Sequence, residues 1–515
     1  MDEGEILDIV NNLTSKRSCG HDGFDNFITK KIMSCIIEPF TYICNLSLRT
    51  GVFPNKMKLA KIIPIFKKGD PLLISNYRPI SLLSTFSKIL EKIVFSRTID
   101  FLNTNEILTG CQFGFRKHHN TSHAILSLIN KVASSFDKGS HTIGMFLDFS
   151  KAFDTIDHKI LLYKLSHYGI RGIVLDWFRN YIHERQQYVC IENHTSQLRN
   201  INCGVPQGSI LGPLLFILYI NDFNRSSDLF SFIMYADDTN LFLSHTNIET
   251  LCQIVNYELN LVATWVKANK LSLNLDKTNF MLFSNTFKEL PYPILIDNIQ
   301  IQQVATTKFL GTFIDDKLSW KHHIDNICKI ISRNVGVINK LKWIFPPNIL
   351  KSLYSTLVLP HLNYGVLAWG NSATYMLNKL LLLQKKAMRI ISHADFRHHT
   401  DGLFYSNNTL KIYDIYRLNL AILMYQYNNQ RLPSVFNNIF RVNNEIHHYP
   451  TRQINLYHLP RTRTALTQNT FIFTAPKFWN SLPLNMRESL CIGTFKLKVK
   501  KSLLAPYSQQ TSSII

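Results

Sequence analysis

The sequence predicts a mixed α/β unit up to about residue 320, followed by a mainly helical region. Three observations point there. The chain has 515 residues and 59.7 kDa, with 46% hydrophobic and 18% charged residues and a mean hydropathy of -0.02. That is the composition of a folded protein of roughly two to four domains, and it excludes both a disordered chain and a miniature scaffold. From about 80 to 320, β-type runs at 142–147, 231–235, 240–243 and 280–283 alternate with helical patterns at 160–167, 210–220 and 248–269. Beyond Trp320 apolar residues recur at helical spacing in 324–343, 348–359 and 376–392, with Pro346-Pro347 and Asn371-Ser372-Ala373 as breaks.

Residues 1–50 read as amphipathic helix around a Gly-rich turn, Ser18-Cys19-Gly20-His21-Asp22-Gly23, with a helical period from Phe27 to Leu48. Ala60-Lys61-Ile62-Ile63-Pro64-Ile65-Phe66 reads as a strand ending in the basic turn Lys67-Lys68-Gly69-Asp70-Pro71. The longest apolar run, Ile210 to Ile220, is interrupted by Gly212-Pro213 and is too short to span a bilayer, so it reads as a buried helix. Before it, Gly204-Val205-Pro206-Gln207-Gly208 reads as a loop whose glycines allow close backbone approach, with Ser209 as the helix N-cap.

Residues 1–320 hold 32 basic and 29 acidic side chains, and residues 321–515 hold 24 and 6, so most of the formal +21 lies in the second segment. Such an excess points to a polyanion, and to nucleic acid before a membrane surface, because no lipidation signal or Lys-rich amphipathic helix accompanies it. A merely soluble basic surface is the competing reading. The nine cysteines stand singly with no CxxC pair, which argues against a disulfide framework or zinc knuckle and for a reducing intracellular compartment. Met1-Asp2-Glu3-Gly4-Glu5 has no apolar core, so no signal peptide is expected. The histidine doublets 118–119, 322–323, 398–399 and 447–448 have no cysteine at ligand spacing and read as structural. Arg452, Arg461, Arg463 and Lys477 interleave with Tyr457, Phe471, Phe473, Phe478 and Trp479, a pattern that suits phosphate contact with base stacking and equally the packing of a terminal unit.

Two segments place carboxylates where chemistry could use them. The apolar strand Ile143-Gly144-Met145-Phe146-Leu147 runs into Asp148, which should therefore stand at a sheet rim. Phe232 to Leu243 reads as a hairpin with Asp237-Asp238 at its tip. Adjacent carboxylates repel unless a cation sits between them. Hard oxygen donors suit Mg²⁺, and a pair of ions held by aspartates can activate a 3′-hydroxyl and neutralise a phosphoryl transition state. Alone, such a turn is more often a solvated hairpin.

The blocks around these carboxylates carry a resemblance. Asn76-Tyr77-Arg78-Pro79-Ile80-Ser81-Leu82-Leu83, Gln112-Phe113-Gly114-Phe115-Arg116, Leu147 to Asp154, Gly204 to Ser209, Tyr235-Ala236-Asp237-Asp238, Leu273-Asn274-Leu275-Asp276-Lys277-Thr278 and Phe309-Leu310-Gly311 stand in one order. In that order the chain resembles the reverse transcriptases of non-LTR retrotransposons, jockey-type most of all, from Ser18 to Trp479. The resemblance implies that Asp148, Asp237 and Asp238 hold two Mg²⁺ ions. It implies that Arg78 grips the triphosphate, with Lys67 and Lys68 as further candidates, and that Phe153 lies beneath the sugar of the incoming nucleotide. Gln207 and Gly208 would meet that nucleotide and the template base, Lys277 would protonate the leaving pyrophosphate, and Phe309-Leu310-Gly311 would seat the primer end.

The implied architecture is a right-hand polymerase of α/β (α+β) class. Its expected parts are an N-terminal helical extension of the fingers over 1–58, fingers and palm over 59–315, a helical thumb over 316–420 and a basic region over 421–515. The implied activity is RNA-directed DNA polymerisation, with an RNA template, a DNA primer and dNTPs as partners and no membrane. A nuclear or cytoplasmic site of action is expected. Met1 lies close before Ser18, so the resemblance further implies a chain without the family's N-terminal endonuclease, one that extends a supplied primer and takes nicks made in trans. The alternative is a catalytically silent, retroelement-derived nucleic-acid-binding protein.

Overall fold

The computed structural model describes residues 1–192, 194–287, 289–446 and 454–508. Its centre is a five-stranded sheet. We number β1 Leu59–Phe66, β2 Tyr77–Leu82, β3 His141–Leu147, β4 Arg185–Ile191, β5 Ser231–Tyr235, β6 Asp238–His245, β7 Asn279–Phe283, β8 Gln302–Gln303, β9 Thr306–Phe309 and β10 Thr312–Asp315. The central sheet has the order β8-β7-β3-β6-β5, with β3 antiparallel to both β6 and β7. A second sheet joins β2, β1 and β4, with β1 and β4 parallel. Its β2 edge tolerates Pro79, which stands opposite Pro64.

Both faces of the central sheet are covered, and the side chains alternate accordingly. Ile143, Met145 and Leu147 of β3, Leu241 and Leu243 of β6, and Phe280 and Leu282 of β7 enter one core. Phe146, Phe242, Met281 and Phe283, the intervening residues, enter the other. Gly144 makes room on that second face, since a Cβ there would lie 2.7 Å from the Phe242 ring. This is why the strands read as nearly continuous apolar runs.

The helices are α1 Glu3–Asn11, α2 Asn26–Thr50, α3 Thr85–Thr104, α4 Thr121–Asp137, α5 His158–His167, α6 Gly172–Ile182, α7 Leu211–Tyr219 and α8 Ile248–Ala268. After the β9–β10 hairpin come α9 Lys321–Leu341, α10 Pro347–Leu357, α11 Thr374–Ile391, α12 Ile412–Asn428, α13 Phe471–Ser481 and α14 Ile492–Ser508. All nine residues of α7 except Pro213 are buried, as expected of its composition. The helices from α9 onward share one core with α4 and the second face of the central sheet. That core continues past residue 421 through Phe471, Trp479, Phe495 and Tyr507. Among the described residues, no helix is long and apolar enough to cross a membrane.

Two histidines in this core make acid stability testable. His123 of α4 and His323 of α9 are 4% and 3% exposed, and burial pushes the pKa of each down to about 4. In the unfolded chain each would take up a proton near pH 6.5. Their contribution is therefore fully present above that pH and is lost as pH falls toward 4, by about 3 kcal/mol per residue. Urea midpoints between pH 7 and 4.5 should show that fall, and His123→Leu and His323→Leu should each flatten it. A variant with the slope of the unaltered chain would count against that residue.

Candidate active site

The sheet rim assembles the three aspartates. β3 ends at Leu147 opposite Thr239, so the same register brings Asp148 level with Asp238 on the adjacent strand. Tyr235 pairs with Asp238, leaving Ala236 and Asp237 as a two-residue turn. The turn thus falls one residue earlier than the expected Asp237-Asp238. Ala236 adopts φ 55°, a left-handed conformation that a non-glycine residue holds only with outside support. Gln112 gives that support. Its Oε1 accepts the N–H groups of Gly114 at 2.7 Å and Ala236 at 3.0 Å, and Phe113 N–H donates to the Met234 carbonyl at 2.8 Å. Only glycine fits at 114, where a Cβ would lie 2.3 Å from the Ala236 nitrogen.

The carboxylates feel one another. Asp238 is solvent-exposed at its tip but stands in dense protein, and that desolvation, with the charges of Asp237 and Asp148, pushes its pKa up to about 6. Desolvation and the charge of Asp148 raise Asp237 as well, against the opposing charges of Arg78 and Lys67. Arg78 on β2 and Lys67 at the end of β1 therefore put positive charge toward the aspartates, as phosphate ligands there would need. Lys277 follows a turn that wraps Asp148: Asn274 N–H donates to the Asp148 carbonyl at 2.7 Å, and Lys277 Nζ lies 3.4 Å from Asp148 Oδ2. Lys277 is thus an ion-pair partner of Asp148, with 62% of its side chain exposed, and not an isolated surface lysine.

The loop before α7 docks beside this cluster. Ser81 N–H donates to the Gln207 carbonyl at 2.7 Å, and Gly208, at φ 128°, sits so close to Ser81 that a Cβ would lie 2.5 Å from its carbonyl oxygen. Gln207 Nε2 donates to Asp154 Oδ1 at 2.8 Å. Phe153 is half-buried, stacked on Phe216 of α7 with centroids 4.5 Å apart, and meets the exposed Phe115 edge-on at 6.4 Å. Ser209 makes the capping bond expected of it: its hydroxyl accepts the Gly212 N–H at 2.9 Å, one residue ahead of Ile210, which is itself helical and has no capping side chain. The carboxylate of Glu91 on α3 accepts the Ile210 N–H at 2.7 Å.

Phe309-Leu310-Gly311 forms the β9–β10 turn. Phe309 itself is 3% exposed and packs into the core, leaving Leu310 and Gly311 at the tip, where the Tyr364 hydroxyl donates to the Leu310 carbonyl. The C-terminal basic-aromatic pattern resolves largely as packing. Phe471 and Trp479 are 0% and 2% exposed, and the Arg463 guanidinium donates to the carbonyls of Phe136 and Asp137 at the end of α4. Arg452 and the doublet 447–448 lie outside the described residues. Gln112, Asp154 and Glu91 hold the site's loops from a distance, a role no local pattern announced. Their only sequence signal was polarity inside otherwise apolar or glycine-rich blocks.

Among the described residues, no group of three or more His, Cys, Asp and Glu side chains is placed so as to hold a metal ion by itself. An open set of carboxylates is what a Mg²⁺ site shared with substrate phosphates uses, since the phosphates complete the shell. Desolvation, and then the neighbouring carboxylate charges, disfavour the ionised forms of Asp237 and Asp238, a cost that a cation at the rim would offset.

Residues 65–314, which carry this whole arrangement, match the family described as reverse transcriptase (RNA-dependent DNA polymerase). Over these residues the chain is similar to a reverse transcriptase domain. Its relatives include the RNA-directed DNA polymerase from the mobile element jockey of Drosophila melanogaster, 28% identical over 77% of this chain and 44% of that protein. The probable RNA-directed DNA polymerase from transposon BS of the same organism is 29% identical over 81% of this chain and 49% of that protein. The putative 115 kDa protein of the type-1 retrotransposable element R1DM, again from Drosophila melanogaster, is 26% identical over 72% and 36%. The expected similarity to jockey-type elements is found, and the chain spans less than half the length of these relatives.

Proposed function

We propose that the protein is an RNA-directed DNA polymerase that adds deoxynucleoside monophosphates to a DNA 3′-hydroxyl on an RNA template, acting inside the cell, in nucleus or cytoplasm. One observation carries it: three aspartates meet at the end of a covered sheet, facing Arg78 and Lys67 on the neighbouring sheet. Asp148, Asp237 and Asp238 would hold two Mg²⁺ ions, which supply charge neutralisation at the transferred phosphoryl group. Arg78 would fork onto the triphosphate. Gln207, held by Asp154, would face the nascent base pair, with the Gly208 backbone beneath it. Lys277 would stand ready as a proton donor to pyrophosphate once its partner Asp148 engages a metal. The Leu310-Gly311 tip, braced by Tyr364, would meet the primer end. The parts would follow the chain as an N-terminal extension to 58, fingers and palm to 315, thumb to 420 and a basic region beyond.

Primer extension with purified protein, poly(rA)/oligo(dT), dTTP and Mg²⁺ tests the reading. Extension is expected. Folded protein that binds the duplex without extending it would favour the silent nucleic-acid-binding protein.

Sugar choice gives a sharper test. Phe153 is clamped by Phe216 and so cannot yield readily to a 2′-hydroxyl. Phe153→Val should raise incorporation of ribonucleotides relative to deoxyribonucleotides by about tenfold or more, equivalent to ~1.4 kcal/mol of relieved clash. An unchanged ratio in a folded, active variant would return Phe153 to a packing role.

A further inference from the structure

α9 and α11 run parallel and leave an open groove between them. The Asp325–Lys379 ion pair, at 2.8 Å, joins them near their first turns, and Trp343 stands 5.8 Å from His393 just past their last. The groove encloses about 1040 Å³. Lys329 and Arg333 of α9 and Lys386 and Arg389 of α11 line it. Phe396, 83% exposed, closes it near the Arg389 guanidinium, which lies 5.9 Å from the ring centroid. Trp343 is 79% exposed with Lys342 over its ring at 4.6 Å.

Exposed aromatic rings of this size, beside cations that have no carboxylate partner among the described residues, suit a ligand with flat apolar faces and negative charge. Residues 321–400 hold eleven Lys and Arg against two acidic residues, Asp325 and Asp395, and Asp325 is already committed to Lys379. A protein helix or an acidic peptide would satisfy the charges but not the two separated rings. A single polynucleotide strand satisfies both: phosphates track the cations while unpaired bases stack on the aromatics. A duplex offers no free base faces.

We propose that the α9–α11 groove is a seat for single-stranded RNA, separate from the carboxylate site, with phosphates along Lys329, Arg333, Lys386 and Arg389 and bases stacked on Phe396 and Trp343. The choice of RNA over DNA rests on the polymerase reading, in which RNA is the single strand outside the duplex. The seat itself does not, because binding needs neither metal nor nucleotide.

The test uses the full chain in EDTA with short oligo(rU), oligo(dT) and a blunt duplex, read by fluorescence anisotropy and by tryptophan quenching. Oligo(rU) should quench Trp343, and Trp343→Phe should remove most of that quenching. Lys386→Glu with Arg389→Glu should weaken oligo(rU) binding by about tenfold or more and flatten its salt slope by about 1.4, some 0.7 for each lost phosphate contact. Phe396→Ala should cost about tenfold, the effect of one lost base stack. Extension of a short primer-template should stay within about twofold in these variants, so failure of the seat and failure of the polymerase reading give different results. Equal oligo(rU) affinity in all variants overturns the proposal. So does tighter binding of the duplex or of oligo(dT) at this groove, or self-association that Phe396→Ala abolishes, which would make a second copy of the chain its occupant.

Discussion

Asp237→Asn and Asp148→Asn should each abolish primer extension while leaving template-primer binding within a few-fold. Desolvation first, and the charges of the neighbouring aspartates second, raise Asp237 and Asp238. On the proposed reading an amide in place of either carboxylate removes a metal ligand; it also lowers the negative charge at the rim, so the folded protein should be as stable as before or slightly more so. What it loses is charge stabilisation that matters only in the transition state, several kcal/mol and hence at least a thousandfold in rate. On the proposed reading the template-primer meets the protein mainly through other surfaces, so its binding should change little. Single-turnover extension alongside a filter-binding titration separates the two. Extension at an undiminished rate by either variant would refute the metal assignment.

The parts of this site that could be read from sequence are those where one strand or one turn sets the side chain's place. β3 and β5 were legible because both of their faces are covered, which leaves a continuous apolar run bounded by Asp148 on one side and Ala236-Asp237 on the other. β6 extends beyond its apolar run because Asp238, Thr239, Ser244 and His245 continue the ladder with polar side chains. α3 was not legible: its buried face includes Ser87, Glu91 and Thr98, which break the apolar period. The same holds for β4, whose two buried residues are Arg185 and Cys190. The helices α12, α13 and α14 hide their cores among tyrosines, asparagines and lysines, and for that reason residues 421–515 read as a basic region where the structure packs these helices into the core shared with α9, α10 and α11. Gln112 shows the limit most clearly. Its hydrogen bonds to Ala236 span 124 positions, and only the fold brings the two together.

Glu91→Ala should be among the most destabilising single substitutions in the chain, at about 3–5 kcal/mol. Glu91 is completely buried and accepts from three donors: Ile210 N–H at 2.7 Å, Leu211 N–H at 3.4 Å and the Ser87 hydroxyl at 2.9 Å. Burial pushes its carboxyl pKa up, and the charge of Arg185 is the largest influence opposing that. Arg185 is 1% exposed, with Nη1 on the Tyr181 carbonyl at 3.1 Å and its guanidinium 4.9 Å from the Tyr181 ring. Removing Glu91 therefore takes away a negative charge that acts on buried Arg185, whose Nε and Nη2 have no hydrogen-bond partner among the described residues, and leaves two helix-start N–H groups without an acceptor. Those N–H groups begin α7 directly after the Gln207-Gly208 loop, so a Glu91→Gln variant, which keeps an acceptor of the same shape, should fold better than Glu91→Ala and show its defect chiefly as a raised KM for dNTP. Replacing both partners, Glu91→Leu with Arg185→Met, should recover much of the stability lost in Glu91→Ala, because no lone charge remains. Urea midpoints of the four proteins decide it: a Glu91→Ala midpoint within about 1 kcal/mol of the unaltered chain would mean that water reaches Arg185 and that the pair does not hold the loop.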